Sequence, residues 1–426
     1  MRIGIVGAGI TGLTLTHSLA ERGVDSVTYE AAADPGGVID SRVVDGRVVE
    51  VGPQRLRLTE PIAELVDAVE LRGDLVAAAD SLPLYVYSGG RLRRVPRSLR
   101  GFLETDLLSW PAKLRVLAEP LTGDAKPDES VADVFTRKFG REAYDNLVGP
   151  ILGGTFGSDP AEMPARHALE PIFELERREG NLLVPAAKRL LGSSESPPPA
   201  SFEGGLQQLP LALADAHDDR IRFETPVRSI REAEDEVAVT TADGDVERFD
   251  QVVLTTPAGQ TADLLREHVP RTAAALDELT YNPLALVHLV SDADATGFGY
   301  QVRRGEPLRT LGVSWNASLF DRDGVYTAFL GGMNDGEILD RDGAEIGRIA
   351  TREFERVLGA EADVLHVETL PAAFPAYDSS WSALDRMQLP ERIHLATNYT
   401  ARMGVPARVR EANRLAETFA DGGGNS

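Results

Sequence analysis

Three glycines and one acid near the start of the chain have the types and spacing of a dinucleotide site. Gly7, Gly9 and Gly12 form G-x-G-x-x-G, and Glu30 stands about twenty residues on. Gly7 permits a tight turn, Gly9 lets backbone N–H groups reach a pyrophosphate, and Gly12 lets a helix pack closely on a strand. A helix opening at that point adds unpaired N–H groups and the positive end of its dipole. Glu30 can accept hydrogen bonds from ribose hydroxyls. The motif alone does not separate a flavin from a nicotinamide dinucleotide.

The elements that must position these residues are readable around them. Arg2–Val6 is a short apolar strand. Thr11 to Arg22 has Leu13, His17 and Ala20 at helical spacing, Gly23 ends that helix, and Ser26–Tyr29 is a second strand with Glu30 at its tip. A strand before the motif, a helix after it and the acid in place form the context that supports the motif.

Other chemistries find little support. Cysteine is absent, so there is no disulfide, thiol nucleophile or thiolate metal site. The histidines (17, 167, 217, 268, 288, 366 and 394) form no ligand-spaced pair, so no metal site is expected. No Ser-His-Asp set or chemically placed carboxylate pair is evident. No catalytic side chain is assigned, and redox chemistry would belong to a bound cofactor.

With 426 residues and 42% hydrophobic content, the chain is long enough for two domains and a large core. No apolar run approaches the length of a membrane span. Met1 leads directly into a core strand with no leader ahead of it, which points to the cytoplasm. A net charge of −23 excludes general nucleic-acid affinity. The only lysines are at 113, 126, 138 and 188. Abundant acids with so little lysine suggest a salt-rich cytoplasm that screens repulsion, and hence a halophilic archaeon.

Along the chain, a glycine pair, Gly36-Gly37, follows Glu30. Ser41–Glu50 reads as a hairpin turning at Asp45-Gly46, and Leu84–Val95 as another at Gly89-Gly90. Thr59 is placed to cap a helix over Pro61–Leu71. Arg91, Arg93, Arg94, Arg97 and Arg100 cluster: they could form a rim facing anions or a membrane, or simply pair with surface acids. Helices are expected near 111–119, 130–139 and 142–151, broken at Gly153–Gly157 and resuming to about Leu191. Gly192–Pro199 reads as a loop, with order restarting at Ser201. Short strands then lead to V-V-L-T-T-P-A at Val252–Ala258. Strands at Leu284–Val290, Leu308–Trp315 and Val325–Leu330 suggest a second sheet. A helix covers Ala344–Val357. Ile393–Ala396 is a last strand, Pro406 starts a last helix to about Phe419, and the tail from Asp421 is expected to be disordered.

Together these segments resemble the protoporphyrinogen/coproporphyrinogen oxidases, within the FAD-dependent amine oxidase and carotenoid desaturase superfamily. The resemblance spans almost the full length. It rests on Gly7/Gly9/Gly12 with Glu30, on Gly36-Gly37 and on Glu50-Val51-Gly52-Pro53. It continues through Tyr85–Pro96, Ser98–Gly101, Asp128-Glu129-Ser130-Val131, Phe139-Gly140 and Gly153–Pro160. It closes with Phe202–Leu206, Val227, Pro257-Ala258, Asn398 and Gly404-Val405-Pro406. D-E-S-V and G-G-x-x-x-S-D-P are the narrower pointers to the porphyrinogen branch. The chain departs from the pattern at Thr397, Arg402-Met403, Arg410–Asn413 and Val38, all near the expected flavin.

The resemblance implies an α/β fold. A discontinuous Rossmann-like FAD-binding domain (1–80, 201–270 and 364–426) would carry an inserted substrate domain, made of a helical insert (81–200) and a mixed sheet (271–363). FAD would lie with its diphosphate on Gly7, Gly9, Gly12, Gly36 and Gly37, its ribose on Glu30 and its adenine near Val227. The flavin ring would meet Gly52, Pro53, Gln54, Asn398, Gly404 and Val405. Arg100 would pair with a carboxylate of a small-molecule substrate, an anionic tetrapyrrole. The implied reaction is oxidation of a porphyrinogen with oxygen as acceptor. Two alternatives stay open: an amine oxidase or carotenoid-type desaturase, and a non-catalytic flavin or tetrapyrrole-binding protein. Peripheral membrane contact and the oligomeric state also stay open.

Overall fold

In the computed structural model, residues 1–79, 82–124, 126, 128–185, 197–400 and 404–422 are described. The loop expected at Gly192–Ser196, the Arg402-Met403 departure and the tail after Gly422 lie outside them.

Five strands form one parallel sheet in the order Ile221–Arg222, Asp25–Tyr29, Arg2–Val6, Gln251–Leu254, Ile393–Leu395. Its two central strands read as continuous apolar runs because both faces are covered. Ile3, Ile5 and Val253 pack on Leu15 and Leu19 of the helix Ile10–Glu21 and on Leu415 and Phe419 of the last helix, Val405–Gly422. Val6, Val252 and Leu254 face the opposite core with Tyr29 and Phe249. Strands from the start, middle and end of the chain thus meet in one sheet.

The second large sheet has seven strands: Asp363–Pro375, Tyr281–Val290, Val325–Gly331, Thr310–Ser314, Gly299–Val302, Leu84–Ser88 and Arg91–Arg94. Only the pair Leu84–Ser88 with Gly299–Val302 is parallel. The amphipathic helix Gly343–Leu358 closes one face with Ile346, Ile349 and Phe354. A smaller antiparallel sheet joins Val227–Ala233, Glu236–Thr241 and Val246–Phe249. Both expected hairpin turns have two consecutive residues at positive φ: Asp45 and Gly46 at 47° and 78°, Gly89 and Gly90 at 62° and 75°.

Three expectations need correction. Helix Gly149–Phe156 runs through Gly153 and Gly154 and ends at Gly157, at φ 55°. Gly154 serves close packing, since a Cβ there would fall 1.7 Å from Gln301 Oε1, whereas a Cβ on Gly153 would meet nothing nearer than 3.7 Å. Thr59 precedes its helix, Glu60–Ala68, but makes no side-chain cap bond, and its hydroxyl is buried without a partner. Order resumes earlier than Ser201, with the strand Pro199–Phe202.

D-E-S-V has a structural reason. Ser130 and Asp133 form a reciprocal capping box on the helix Val131–Phe139, and Glu129 pairs with Arg137 at 2.7 Å. At the end of that helix Lys138 is buried between Glu119 and Glu176.

Candidate dinucleotide site

The first turn is shaped by backbone contacts that only glycine allows. Gly7 sits at φ 106°, and its N–H donates to Tyr29 O at 2.8 Å, tying the turn to the second strand. A Cβ on Gly12 would lie 1.9 Å from Gly7 O, so the helix approaches the strand as closely as backbone can. Gly9 forms an isolated parallel bridge with Gly36, whose N–H donates to Ala8 O at 2.9 Å. Gly37, at φ 60°, would place a Cβ 3.6 Å from Gly9 Cα. The two glycine segments, far apart in sequence, therefore meet at the helix N-terminus as one bare backbone cradle. A diphosphate fits such a cradle: N–H groups and the helix dipole face it, and no side chain stands in the way.

Glu30 ends the second strand. Its carboxylate accepts from the backbone N–H of Ala8 at 2.7 Å and of Ala32 at 2.9 Å. Each oxygen keeps a further lone pair for a ribose hydroxyl. Glu30 O also accepts from Thr225 N at 2.8 Å, which brings the strand beginning at Val227 alongside.

The loop Gly52–Gln54 packs against Val38, the residue that follows the glycine pair. A Cβ on Gly52 would lie 1.8 Å from Val38 O. Gln54 is buried and engaged with protein: its Nε2 donates to Glu50 O at 2.8 Å and its Oε1 accepts from Asn316 Nδ2 at 2.9 Å. It holds the loop to the second sheet and has no free amide for a ring.

A residue whose role the sequence did not disclose is Glu50. Its buried carboxylate accepts from Ser41 Oγ at 2.5 Å, Leu206 N at 3.0 Å and Ser201 Oγ at 3.3 Å, with Arg322 at 3.8 Å. Burial pushes its pKa up, and the hydrogen bonds oppose this. Its sequence signals are an acid closing an apolar strand, V-V-E, and its place at the head of the Glu50–Pro53 motif. Through it, the hairpin, the F-E-G-G-L segment and the second sheet share one anchor.

At the far end, Asn398 Oδ1 accepts from Tyr281 OH at 3.3 Å, and Tyr281 OH accepts from Ala258 N at 3.0 Å. Gly404, at φ 103°, and Val405 open the last helix. Two cavities flank this end. One, about 310 Å³, is lined by His167, Tyr377, Trp381 and Tyr399 among others. The other, about 290 Å³, is lined by Arg55, Arg57, Gly404–Ala407 and Arg410 with Leu56.

The structure does not bring Arg100 to the site. It lies on the short helix Leu99–Glu104, its side chain is 86% exposed, and it pairs with Glu104 at 2.7 Å. Arg91 and Arg93 likewise pair with Asp106. These members of the arginine cluster follow the plainer reading, pairing with surface acids.

His288 gives this core a pH dependence. It is fully buried, bonded through Nδ1 to Thr327 Oγ1 at 3.1 Å, and Thr327 also accepts from Asn316. Burial, with smaller contributions from His366 and Arg42, pushes its pKa down to about 3. The folded value lies below the unfolded one, so as pH falls the unfolded chain takes the proton first. Stability is therefore lost from about pH 6.5 downward, reaching about 2.5 kcal/mol by about pH 4.5. Denaturant titrations of wild type and His288→Gln at those two pH values should differ by that slope. Equal slopes would remove His288 as the cause.

A parallel sheet with a glycine cradle at the head of its first helix and an acid at the tip of its second strand defines an α/β dinucleotide-binding protein. The chain belongs to the flavin containing amine oxidoreductase family, whose pattern matches residues 10–417. It is an FAD-dependent oxidoreductase. The protoporphyrinogen oxidase 2 (chloroplastic/mitochondrial) of Arabidopsis thaliana is 26% identical over 91% of this chain and 87% of its own length. The coproporphyrinogen III oxidase of Staphylococcus aureus is 25% identical over 88% of each. A solved structure from Exiguobacterium sp. 255-15, provisionally assigned as a protoporphyrinogen oxidase, shares the fold with a TM-score of 0.79. It is 23% identical and covers 98% of both chains.

Proposed function

We propose that this chain oxidises a porphyrinogen, protoporphyrinogen or coproporphyrinogen, with oxygen as the final acceptor. The reading is carried by nearly full-length similarity to relatives named for both reactions. Bound FAD would supply the two-electron acceptor for dehydrogenation at a methylene carbon, with oxygen reoxidising it to give hydrogen peroxide. The chain's residues hold and orient. Gly7, Gly9, Gly12, Gly36 and Gly37 cradle the diphosphate, Glu30 takes the ribose and Val227 lies by the adenine. Gly52, Pro53, Asn398, Gly404 and Val405 border the ring, and Gln54 steadies that border from behind. No side chain is assigned an acid, base or nucleophile role. Residues 1–80, 201–270 and 364–426 form the cofactor half, except that the strand Asp363–Pro375 pairs with Tyr281–Val290 at the edge of the second sheet and so belongs to the substrate half. The test is an absorption spectrum of the purified protein in high salt, before and after anaerobic coproporphyrinogen. Bleached flavin bands with rising porphyrin fluorescence are expected. Unchanged bands would overturn the substrate assignment in favour of an amine, a polyene or no turnover.

The same reading places the protein in the cytoplasm, in peripheral contact with a membrane. Its support is a run of exposed apolar side chains along the helical insert: Leu99, Leu103, Trp110, Leu114, Leu117 and Leu121, the last 89% exposed. Lys113 Nζ lies 4.7 Å from the Trp110 ring. No helix among the described residues is long and apolar enough to cross a membrane. In flotation with phosphatidylcholine vesicles the wild type should rise, and a Trp110→Ser/Leu114→Ser/Leu121→Ser variant should stay with the soluble fraction. A wild type that never floats would end this part of the reading.

A further inference from the structure

The side-chain amide of Asn398 is engaged at one end only. Tyr281 OH accepts the backbone N–H of Ala258 at 3.0 Å and donates its own proton to Asn398 Oδ1 at 3.3 Å. Burial pushes the Tyr281 pKa up, so the hydroxyl keeps that proton at neutral pH. With the oxygen committed to the phenol, the NH2 end of the amide turns the other way. Among the described residues nothing accepts from Asn398 Nδ2. The opposite setting, with Nδ2 toward the phenol, would leave the Tyr281 proton without an acceptor among those residues.

The loop that carries Asn398 does not need this contact for its shape. Thr397 N donates to Thr400 Oγ1 at 2.9 Å, and Tyr399 OH donates to Thr261 Oγ1 at 2.9 Å, which ties the loop to the helix Ala258–Leu265. Tyr281 reaches it from another part of the fold. It opens the strand Tyr281–Val290 of the second sheet, in register with Pro375. The next residue, Asn282, points to the opposite face, where its Nδ2 donates to Phe156 O at 3.1 Å and Ser158 Oγ at 2.8 Å. The start of this strand is therefore anchored to the helical insert on one side and presents the phenol on the other. The edge of an oxidised flavin ring carries carbonyl oxygens and bare nitrogens, all acceptors, and reduction adds charge to them. A donor held at that edge favours the reduced ring, and a carbonyl oxygen held there opposes it.

We propose that Tyr281 is a positioning residue: it sets the Asn398 amide with Nδ2 toward the flavin ring, so that a residue of the second sheet makes the ring a better electron acceptor. This rests on the reading that Asn398 borders the ring. The test poises the FAD-loaded protein anaerobically against a reference dye, with no porphyrinogen present, and reads the ratio of oxidised to reduced flavin. Tyr281→Phe keeps the ring and its packing, and should raise that ratio about three- to tenfold, the worth of one hydrogen bond. Asn398→Ala should raise it by a similar factor. Adding Tyr281→Phe to Asn398→Ala should change nothing further, because the phenol acts only through the amide. A ratio that falls in Asn398→Ala would mean that the oxygen faces the ring, and would overturn the proposal. So would additive effects in the double variant. A Tyr281→Phe protein that loses thermal stability at an unmoved ratio would make the phenol only a cap for the helix Ala258–Leu265, and would also overturn it. If Tyr281→Phe does not fold, the sign of the Asn398→Ala shift carries the test. A silent Asn398→Ala would remove Asn398 from the ring border and take the proposal with it. A shifted Asn398→Ala beside a silent Tyr281→Phe would overturn the proposal and leave that reading in place. The substrate assignment is untouched by any of these results and stands or falls on the porphyrinogen spectrum.

Discussion

Replacing Lys138 with methionine is expected to destabilise the helical insert by about 3–5 kcal/mol. Lys138 Nζ stands 3.1 Å from Glu119 Oε1 and is also ion-paired with Glu176, and the three side chains are 1%, 0% and 4% exposed. Glu119 additionally accepts from the backbone N–H of Leu182 and Leu183. One point thus ties together the turn Glu119–Leu121, the helix Val131–Phe139, the helix Glu170–Glu179 and the segment after it. Methionine keeps the volume but leaves two carboxylates buried against each other, and this, more than a lost attraction, is the source of the cost. The triple variant Lys138→Met/Glu119→Gln/Glu176→Gln should recover most of the loss. No charge then stays buried, and the amide oxygen that replaces the Glu119 carboxylate still accepts the N–H groups. Limited proteolysis is the suitable measurement, since a chain with several sheets need not unfold in one step. A single variant as resistant as wild type would show that the triad does not hold the insert together.

The parts of this molecule legible in its sequence are those set by local rules. G-x-G-x-x-G, the Asp45-Gly46 and Gly89-Gly90 turns and the apolar central strands each depend on residues a few positions apart. What stayed hidden depends on tertiary neighbours. Gly154 looks like a helix breaker until Gln301 is seen to need its space. Arg100 looks placed for a substrate because it sits in an arginine run, yet its helix leads it to Glu104 and solvent. Arg55 and Arg57 carried a usable signal: in an extended segment R-L-R points both guanidinium groups to one face while Leu56 is buried on the other. Nothing local could say that Phe298, 5.7 Å from Arg55 and 5.9 Å from Arg57, and the first turn of the last helix would meet that face. Glu50 is the same kind of case, an acid whose four partners come from three segments of the chain.

Gly52→Ala is expected to strip FAD from a protein that still folds. The added methyl would sit 1.8 Å from Val38 O and 3.0 Å from Val38 C, both backbone atoms that cannot rotate aside. The loop must move, and it can move only by pushing Val38 and with it Gly36-Gly37. That pair is bridged to Gly9, so the displacement opens the cradle at the head of the first helix. Overpacking of this kind costs about 1–3 kcal/mol, which is about 5- to 150-fold in affinity if it falls on the bound state. Gly259→Ala is the matched control: it lies in the helix Ala258–Leu265, and a Cβ there meets nothing within 4 Å. It should hold FAD as the wild type does and gain about 0.5–1 kcal/mol of stability from helix propensity. Flavin absorbance per chain after gel filtration, with far-UV circular dichroism as the check on folding, decides the matter. If Gly52→Ala keeps its flavin at the wild-type ratio and affinity, the contact between Gly52 and Val38 is packing alone. The cradle would then be held by the bridge between Gly9 and Gly36 without help from the loop.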